Sequence, residues 1–155
     1  MKIRFIPVNS QNRQQVQALT VAPSQAGFIE TTVQCMEEAD QCPQWRPVGI
    51  YDGEQLVGFA MYGLWKQEGE GGRVWLDRFM IDERYQGMGY GRTALSAILE
   101  RIRQEYGRNE IFLSLYEENK RAMHLYEQAG FHLTGETDPH GEKLMVTEMD
   151  GPCGL

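Results

Sequence analysis

The chain has 155 residues, a formal net charge of −7 and a hydrophobic share of 41%, which suits one domain able to bury a core. With no basic tail or patch, this acidic balance excludes nucleic acid as a partner; the absence of a signal-like N-terminus and of any apolar run near the roughly 18 residues of a membrane span implies no membrane association and a cytoplasmic location. Cys35, Cys42 and Cys153 are odd in number and lack metal-ligand spacing, so they read as reduced thiols, with no metal site and no disulfide frame.

In chain order, residues 3–8 predict a first strand, and Asn9 or Ser10 can cap a short helix over residues 11–20. Pro23 breaks that pattern. A second helix is predicted over residues 25–40, with Ile29, Val33 and Met36 as its apolar stripe and Glu30, Gln34, Glu37 and Glu38 on the other side. The plain reading of the acidic stripe is a solvated face; the alternative is that Glu30 lines a pocket for a cationic ligand.

Pro43 and Pro47 end the helical part, and residues 48–51 and 55–64 predict a hairpin around Asp52-Gly53. The charged link KQEGEGG leads to the strand VWLDRFMI. Alternation there puts Trp75, Asp77, Phe79 and Ile81 on one face, opposite Val74, Leu76, Arg78 and Met80. A glycine-dense turn and a helix ending near Tyr106-Gly107 follow, then a buried strand over residues 111–116. Next comes a helix bracketed by Asn119 and Gly130. Residues 131–136 and 143–149 close the chain as two strands around Asp138-Pro139-His140-Gly141. The order is β-α-α-β-β-β-α-β-α-β-β in one domain over residues 1–150, with 151–155 as a disordered tail.

The segment Gln86, Gly87, Met88, Gly89, Tyr90, Gly91, Arg92, Thr93 is where chemistry concentrates. A glycine-rich turn that opens a helix presents unpaired N–H groups and a positive dipole end, which suits a phosphate. It is not a P-loop, because no Gly-Lys-Ser or Gly-Lys-Thr occurs, and the run from Gly87 to Gly91 is one residue short of a dinucleotide fingerprint. The pattern it meets is Q/R-x-x-G-x-G/A, in Gln86, Gly89 and Gly91. Downstream, NKRAMHLYEQAGF meets N-x-x-A-x-x-x-Y-x-x-x-G-F in Asn119, Ala122, Tyr126, Gly130 and Phe131. Arg84 and Arg92 flank the glycine turn, and Lys120 and Arg121 open the Asn119 helix, so local positive charge suits an anionic cofactor.

These two patterns resemble motifs A and B of the GNAT superfamily of N-acetyltransferases. The resemblance implies an α/β (α+β) fold, a single domain with a mixed, mostly antiparallel sheet in which the strand from Val74 and the strand from Ile111 run parallel and splay apart. The opening would hold the pantetheine arm of acetyl-CoA, with Phe79, Met80, Ile81, the segment Gln86 to Thr93, Asn119 and Tyr126 as cofactor-binding residues. Tyr126 would be the general acid, and backbone N–H groups around Phe79 and Met80, where the family's strand bulges, would be oxyanion donors.

A primary amine near pKa 10.4 leaves only about one molecule in 2,000 neutral at pH 7, so a base is needed. Asp77 is the candidate, acting through a water, unless its carboxylate is paired to Arg73, Arg78 or another neighbour. Within the superfamily the chain is similar to bacterial diamine and spermine/spermidine N-acetyltransferases, through SQAGFIETTVQCMEEADQC, RPVGIYDGEQLVGFAMYG and GRVWLDRFMIDERYQGMGYG. That likeness implies a cationic amine substrate, with Asp77 at the reacting nitrogen and Glu30 at a distal one. Rival readings are an aminoglycoside, amino-acid or protein N-terminal acceptor, or a CoA-binding sensor without turnover, which the intact Tyr126 disfavours. No cysteine falls in either motif, which disfavours transfer through a cysteine. A homodimer is left open.

Overall fold

The strands are β1 (Ile3–Pro7), β2 (Trp45–Asp52), β3 (Gln55–Trp65), β4 (Arg73–Ile81), β5 (Glu110–Leu115), β6 (His132–Thr137) and β7 (Lys143–Glu148). In the computed structural model, which describes residues 1–21, 31–68 and 71–148, they join one sheet in the order β1-β2-β3-β4-β5-β7-β6. Every pairing is antiparallel except β4 with β5. The helices are α1 (Arg13–Gln17), α2 (Thr32–Gln41), α3 (Tyr90–Tyr106) and α4 (Lys120–Gln128). The element order is the expected one; the predicted tail at 151–155 lies outside the described residues.

Two boundaries differ from expectation for local reasons. The strand predicted from Val48 begins at Trp45 and takes Pro47 inside it. Pro47 has no N–H to give, but its carbonyl accepts from the Val8 amide at 3.0 Å where β1 runs out. The proline therefore removes one bond at the end of a ladder, where it is tolerated. Helix α2 begins at Thr32 because Thr31 and Gln34 form a reciprocal capping box, a Thr-x-x-Gln signal present in the sequence. Its buried face is Thr32, Cys35 and Met36, and Val33 is exposed; Ile29 lies outside the described residues.

The sheet carries a core on each face. On one, Val74, Leu76 and Ile81 pack against Ala94, Leu95, Ile98 and Ile102 of α3, with α4 beside them. On the other, Phe59, Met61 and Met80 pack against Val16 and Leu19 at α1 and Cys35 and Met36 of α2. Strict alternation would put Phe79 and Ile81 with Trp75, but Phe79 and Ile81 join the α3 core and Trp75 and Met80 the α2 core. The cause is a β-bulge: Met61 pairs with Arg78 and Tyr62 with Leu76, leaving Asp77 as the extra residue. One unpaired residue inverts the phase of everything after it.

Asp82, just past β4, is 1% exposed. Its carboxylate accepts from the Arg84 amide at 2.9 Å, Arg84 Nε at 2.8 Å and the Thr20 amide at 3.1 Å. Burial pushes this carboxyl up, but those hydrogen bonds more than offset it and hold it below the usual carboxylate value. A depressed value means the stability it contributes is present above about pH 4 and is lost as pH falls through the lower folded value. Asp82→Ala is expected to lower unfolding free energy by about 2–3 kcal/mol at pH 7 and to flatten the acid limb of stability. Denaturant titrations from pH 7 to 2 check this; an unchanged midpoint would show that the clamp is idle.

Candidate active site

Strands β4 and β5 pair at Trp75 and Phe112 alone. Beyond that point β4 bulges at Asp77 and the strands part, with α4 over the opening. The bulge was expected around Phe79 and Met80; it lies earlier, and a bulge bends its strand and increases local twist. Two cavities fill the gap, one of about 260 Å³ and one of about 310 Å³. Phe79, Met80, Asn119, Ala122 and Tyr126 line both, so these residues form the wall where two ligands would meet.

The larger cavity is the glycine-loop side. Gly87 and Gly89 have φ of +79° and +86°, the left-handed region that lets the chain turn straight into α3. The Gln86 side-chain amide donates to the Ile81 carbonyl at 3.1 Å and braces the loop. Helices α2 and α4 are capped by side chains, whereas Gly89 gives α3 none. The amides of Tyr90, Gly91 and Arg92 precede the first bond of α3, from Thr93 N–H to the Gly89 carbonyl. Donors of that kind at a positive dipole end fit a pyrophosphate. Arg121 and His124 also line this cavity.

Most of the predicted cofactor residues are here: Phe79, Met80, Ile81, Gln86, Gly87, Tyr90, Gly91, Asn119 and Tyr126 line the cavity. Met88, Gly89, Arg92 and Thr93 do not. Met88 is 58% exposed, and Arg92 donates to Gln128 at 3.2 Å. The Tyr90 side chain turns into the core, where its hydroxyl donates to Asp52 at 2.6 Å, so only its amide is available to a phosphate. Arg84 is committed to Asp82 rather than to the loop.

A Cβ built on Gly91 comes no closer than 3.8 Å to Leu125, an ordinary contact, and Gly91 and Leu125 both line the cavity. Gly91→Val should therefore fold normally yet lose acetyl-CoA affinity by about tenfold or more, roughly 1.4 kcal/mol. Titration calorimetry decides; unchanged affinity would take the glycine loop out of the site.

The smaller cavity lies on the Asp77 side. The Tyr126 ring stacks edge-on against Phe131, 5.7 Å between centroids. Desolvation pushes its phenol up to about 12, with the nearby Arg78 charge pulling the other way. It is a protonated donor throughout the neutral range. Asn119 combines two roles: its side chain accepts from the Ala122 amide at 3.3 Å, capping α4, while lining both cavities.

Asp77 lines the smaller cavity and is also paired, its Oδ2 lying 2.9 Å from Arg78 Nη1. Arg78 donates to the Asp77 carbonyl at 2.7 Å and comes within 3.9 Å of Glu38. Arg73, the other partner considered, instead reaches Glu136 at 3.5 Å and stacks over Phe112. Glu30 lies outside the described residues.

The sequence reading missed Thr32, Gln34, Cys35 and Glu142, which line this cavity too. None belongs to either motif; tertiary packing of α2 and of the β6–β7 turn brings them in.

A family model described as "Acetyltransferase (GNAT) family" matches residues 13–131. The spermine/spermidine N(1)-acetyltransferase of Bacillus subtilis (strain 168) is 44% identical over 152 residues, 96% of this chain and 100% of that protein. Among solved structures, the spermidine N-acetyltransferase of Vibrio cholerae in complex with CoA and spermine superposes with a TM-score of 0.72 at 17% identity, covering 95% of each chain. An aminoglycoside acetyltransferase, AAC(6')-Ib, in complex with coenzyme A and kanamycin gives 0.78 at 18% identity, again over 95% of each. At such identities the structural likenesses speak to the fold alone.

Proposed function

We propose, for a chain that belongs to the GNAT family of acetyltransferases, that it transfers the acetyl group of acetyl-CoA to a primary amine of a polyamine such as spermidine or spermine. The observation that carries this reading is the pair of cavities that meet at Tyr126, one built on uncapped amides and glycines, the other holding Asp77. Two substrates could sit there together, so the attack is direct and no cysteine need carry the acetyl group. Cys35 is in the wall of the acceptor cavity but lies on α2, outside both motifs.

Acetyl-CoA supplies the thioester when bound. The amides opening α3, with Arg121 beside them, are suited to its phosphates. Asp77 orients the ammonium and passes one of its protons to solvent through a water. Amides around Phe79 and Met80 are the proposed oxyanion donors. As the C–N bond forms and the C–S bond breaks, Tyr126 donates a hydrogen bond to the departing sulfur. Overall the ammonium loses two protons, one to solvent and one that ends on the thiol.

The aminoglycoside acetyltransferase shares the fold, but the substantial sequence identity lies with the spermine/spermidine enzyme, and this favours the polyamine. No helix among the described residues is long and apolar enough to cross a membrane; a cytoplasmic location and a homodimer remain part of the proposal. Thiol release from acetyl-CoA is the test, with spermidine, spermine, a diamine, hexylamine and kanamycin as acceptors. The polyamines should be preferred by kcat/KM. Preference for kanamycin would move the chain to the rival acceptor, and no turnover with any amine would make it a CoA-binding sensor.

A further inference from the structure

We infer that Asp52 is a positioning residue for the cofactor, fixing the glycine turn and the first amides of α3 through the Tyr90 hydroxyl; this rests on the reading of those amides as the phosphate site. Tyr90 opens α3 and is 7% exposed. Its hydroxyl donates to Asp52 Oδ2 at 2.6 Å. Asp52 ends β2, 38 residues earlier in the chain, and lines neither cavity. It therefore acts on the site only through the residue it holds.

The other end of the glycine turn is held by the same hairpin. Tyr85, just before Gln86, accepts at its hydroxyl from Gln55 Nε2 at 2.8 Å. Asp52 and Gln55 are register partners across the β2–β3 turn, and the Tyr85 and Tyr90 rings meet edge to face, 6.2 Å between centroids. The hairpin turn is itself anchored to the start of the chain. Asp52 Oδ1 accepts from the Lys2 amide at 2.8 Å, the Gly53 amide donates to the Lys2 carbonyl at 2.9 Å, and Arg4 Nε donates to the Gly53 carbonyl at 2.9 Å. Residues 86–89 thus span two tyrosines fastened to one fixed abutment.

A glycine-rich turn needs such an abutment. Glycine loses more backbone freedom on ordering than any other residue, and a loop that orders only as its ligand arrives weakens binding by that cost. Hydrogen bonds also weaken steeply as the donor swings off line. Holding the Tyr90 ring at its hydroxyl, on a helix that starts at Tyr90, sets the direction of the Tyr90 amide and of the Gly91 and Arg92 amides after it.

The experiment measures kcat and KM for two acetyl donors, at a saturating concentration of whichever amine turns over fastest. One donor is acetyl-CoA; the other is S-acetylpantetheine, which keeps the thioester and its arm but has no phosphates. Tyr90→Phe and Asp52→Ala should each raise KM for acetyl-CoA about three- to tenfold, the size of one lost hydrogen bond. In both variants kcat, and kcat/KM for S-acetylpantetheine, should stay within about twofold of wild type, since only binding of the phosphates is weakened. Asp52→Asn still offers the hydroxyl a partner and should fall between Asp52→Ala and wild type. Tyr90→Phe added to Asp52→Ala should cost less than about twofold more, because both remove the same bond. Equal losses with the two donors would make the tie merely structural and overturn the inference. Gly91→Val separates the two readings: if it raises the acetyl-CoA KM and Tyr90→Phe does not, the inference about Asp52 is wrong, whereas no effect of Gly91→Val overturns the phosphate reading of the loop itself.

Discussion

Tyr126→Phe should lower kcat by about 10²-fold, at the low end of the 10²–10⁴ typical of a lost general acid, with acetyl-CoA affinity nearly unchanged. The ring stays in place against Phe131, so the wall between the two cavities keeps its shape and only the hydroxyl is lost. The low end is expected because of where the phenol sits. At about 12 it gives up its proton less readily than a thiol near 8.5, by a factor of about 10³. Its expected contribution is therefore a hydrogen bond to developing negative charge, with the proton reaching sulfur late. For the same reason no pH limb below about pH 11 should belong to Tyr126. Single-turnover rates across pH 6–10 check both points. A fall of less than about threefold would reassign Tyr126 to packing, and loss of a limb near pH 9 in the variant would show that the phenol titrates far lower than its surroundings suggest.

How much of this could be read from the residues depends on how local each signal is. The glycine turn and the Asn119 helix were legible because everything that defines them lies within one loop or one helix: positive φ at Gly87 and Gly89, a cap at Asn119, a stop near Gly130. The capping box at Thr31 and Gln34 is equally local, a Thr-x-x-Gln signal that sets the start of α2. The bulge at Asp77 was not legible. No glycine or proline marks it, and a period-two pattern of alternating bulky residues reads the same whether or not one residue is skipped. Yet that skipped residue moves Phe79 and Ile81 onto the face of α3 and Met80 onto the face of α2.

The cavity that holds Asp77 was the least legible part. Asp77 stands out in the sequence because it precedes the stretch expected to bind the cofactor, but its partner is open there among Arg73, Arg78 and another neighbour. Only the bulge, by placing Asp77 and Arg78 side by side, decides for Arg78. Cys35 and Glu142 lie over a hundred residues apart in sequence, on α2 and before β7. Nothing short of tertiary packing could bring them to one wall.

Asp77→Asn is expected to reduce kcat by about 10²-fold at pH 7, within the range for a lost general base, and for hexylamine as much as for spermidine. The defect should shrink as pH rises. A primary amine near pKa 10.4 is neutral in about one molecule in 2,000 at pH 7 and about one in 25 at pH 9, so each pH unit returns roughly tenfold of the missing free amine. A wild type that deprotonates its bound ammonium should respond less steeply. Asparagine is nearly the same shape, and the bond from the Arg78 side chain ends on the residue 77 backbone carbonyl, so it survives the change. The variant does remove the carboxylate 2.9 Å from the Arg78 guanidinium, and a less neutralised cation would repel an incoming ammonium. That repulsion acts on binding and appears in KM, whereas a missing proton acceptor appears in kcat; rates at saturating amine separate them. If kcat of Asp77→Asn follows pH in parallel with the wild type while KM alone rises, Asp77 serves to neutralise Arg78 and the proton leaves by another route.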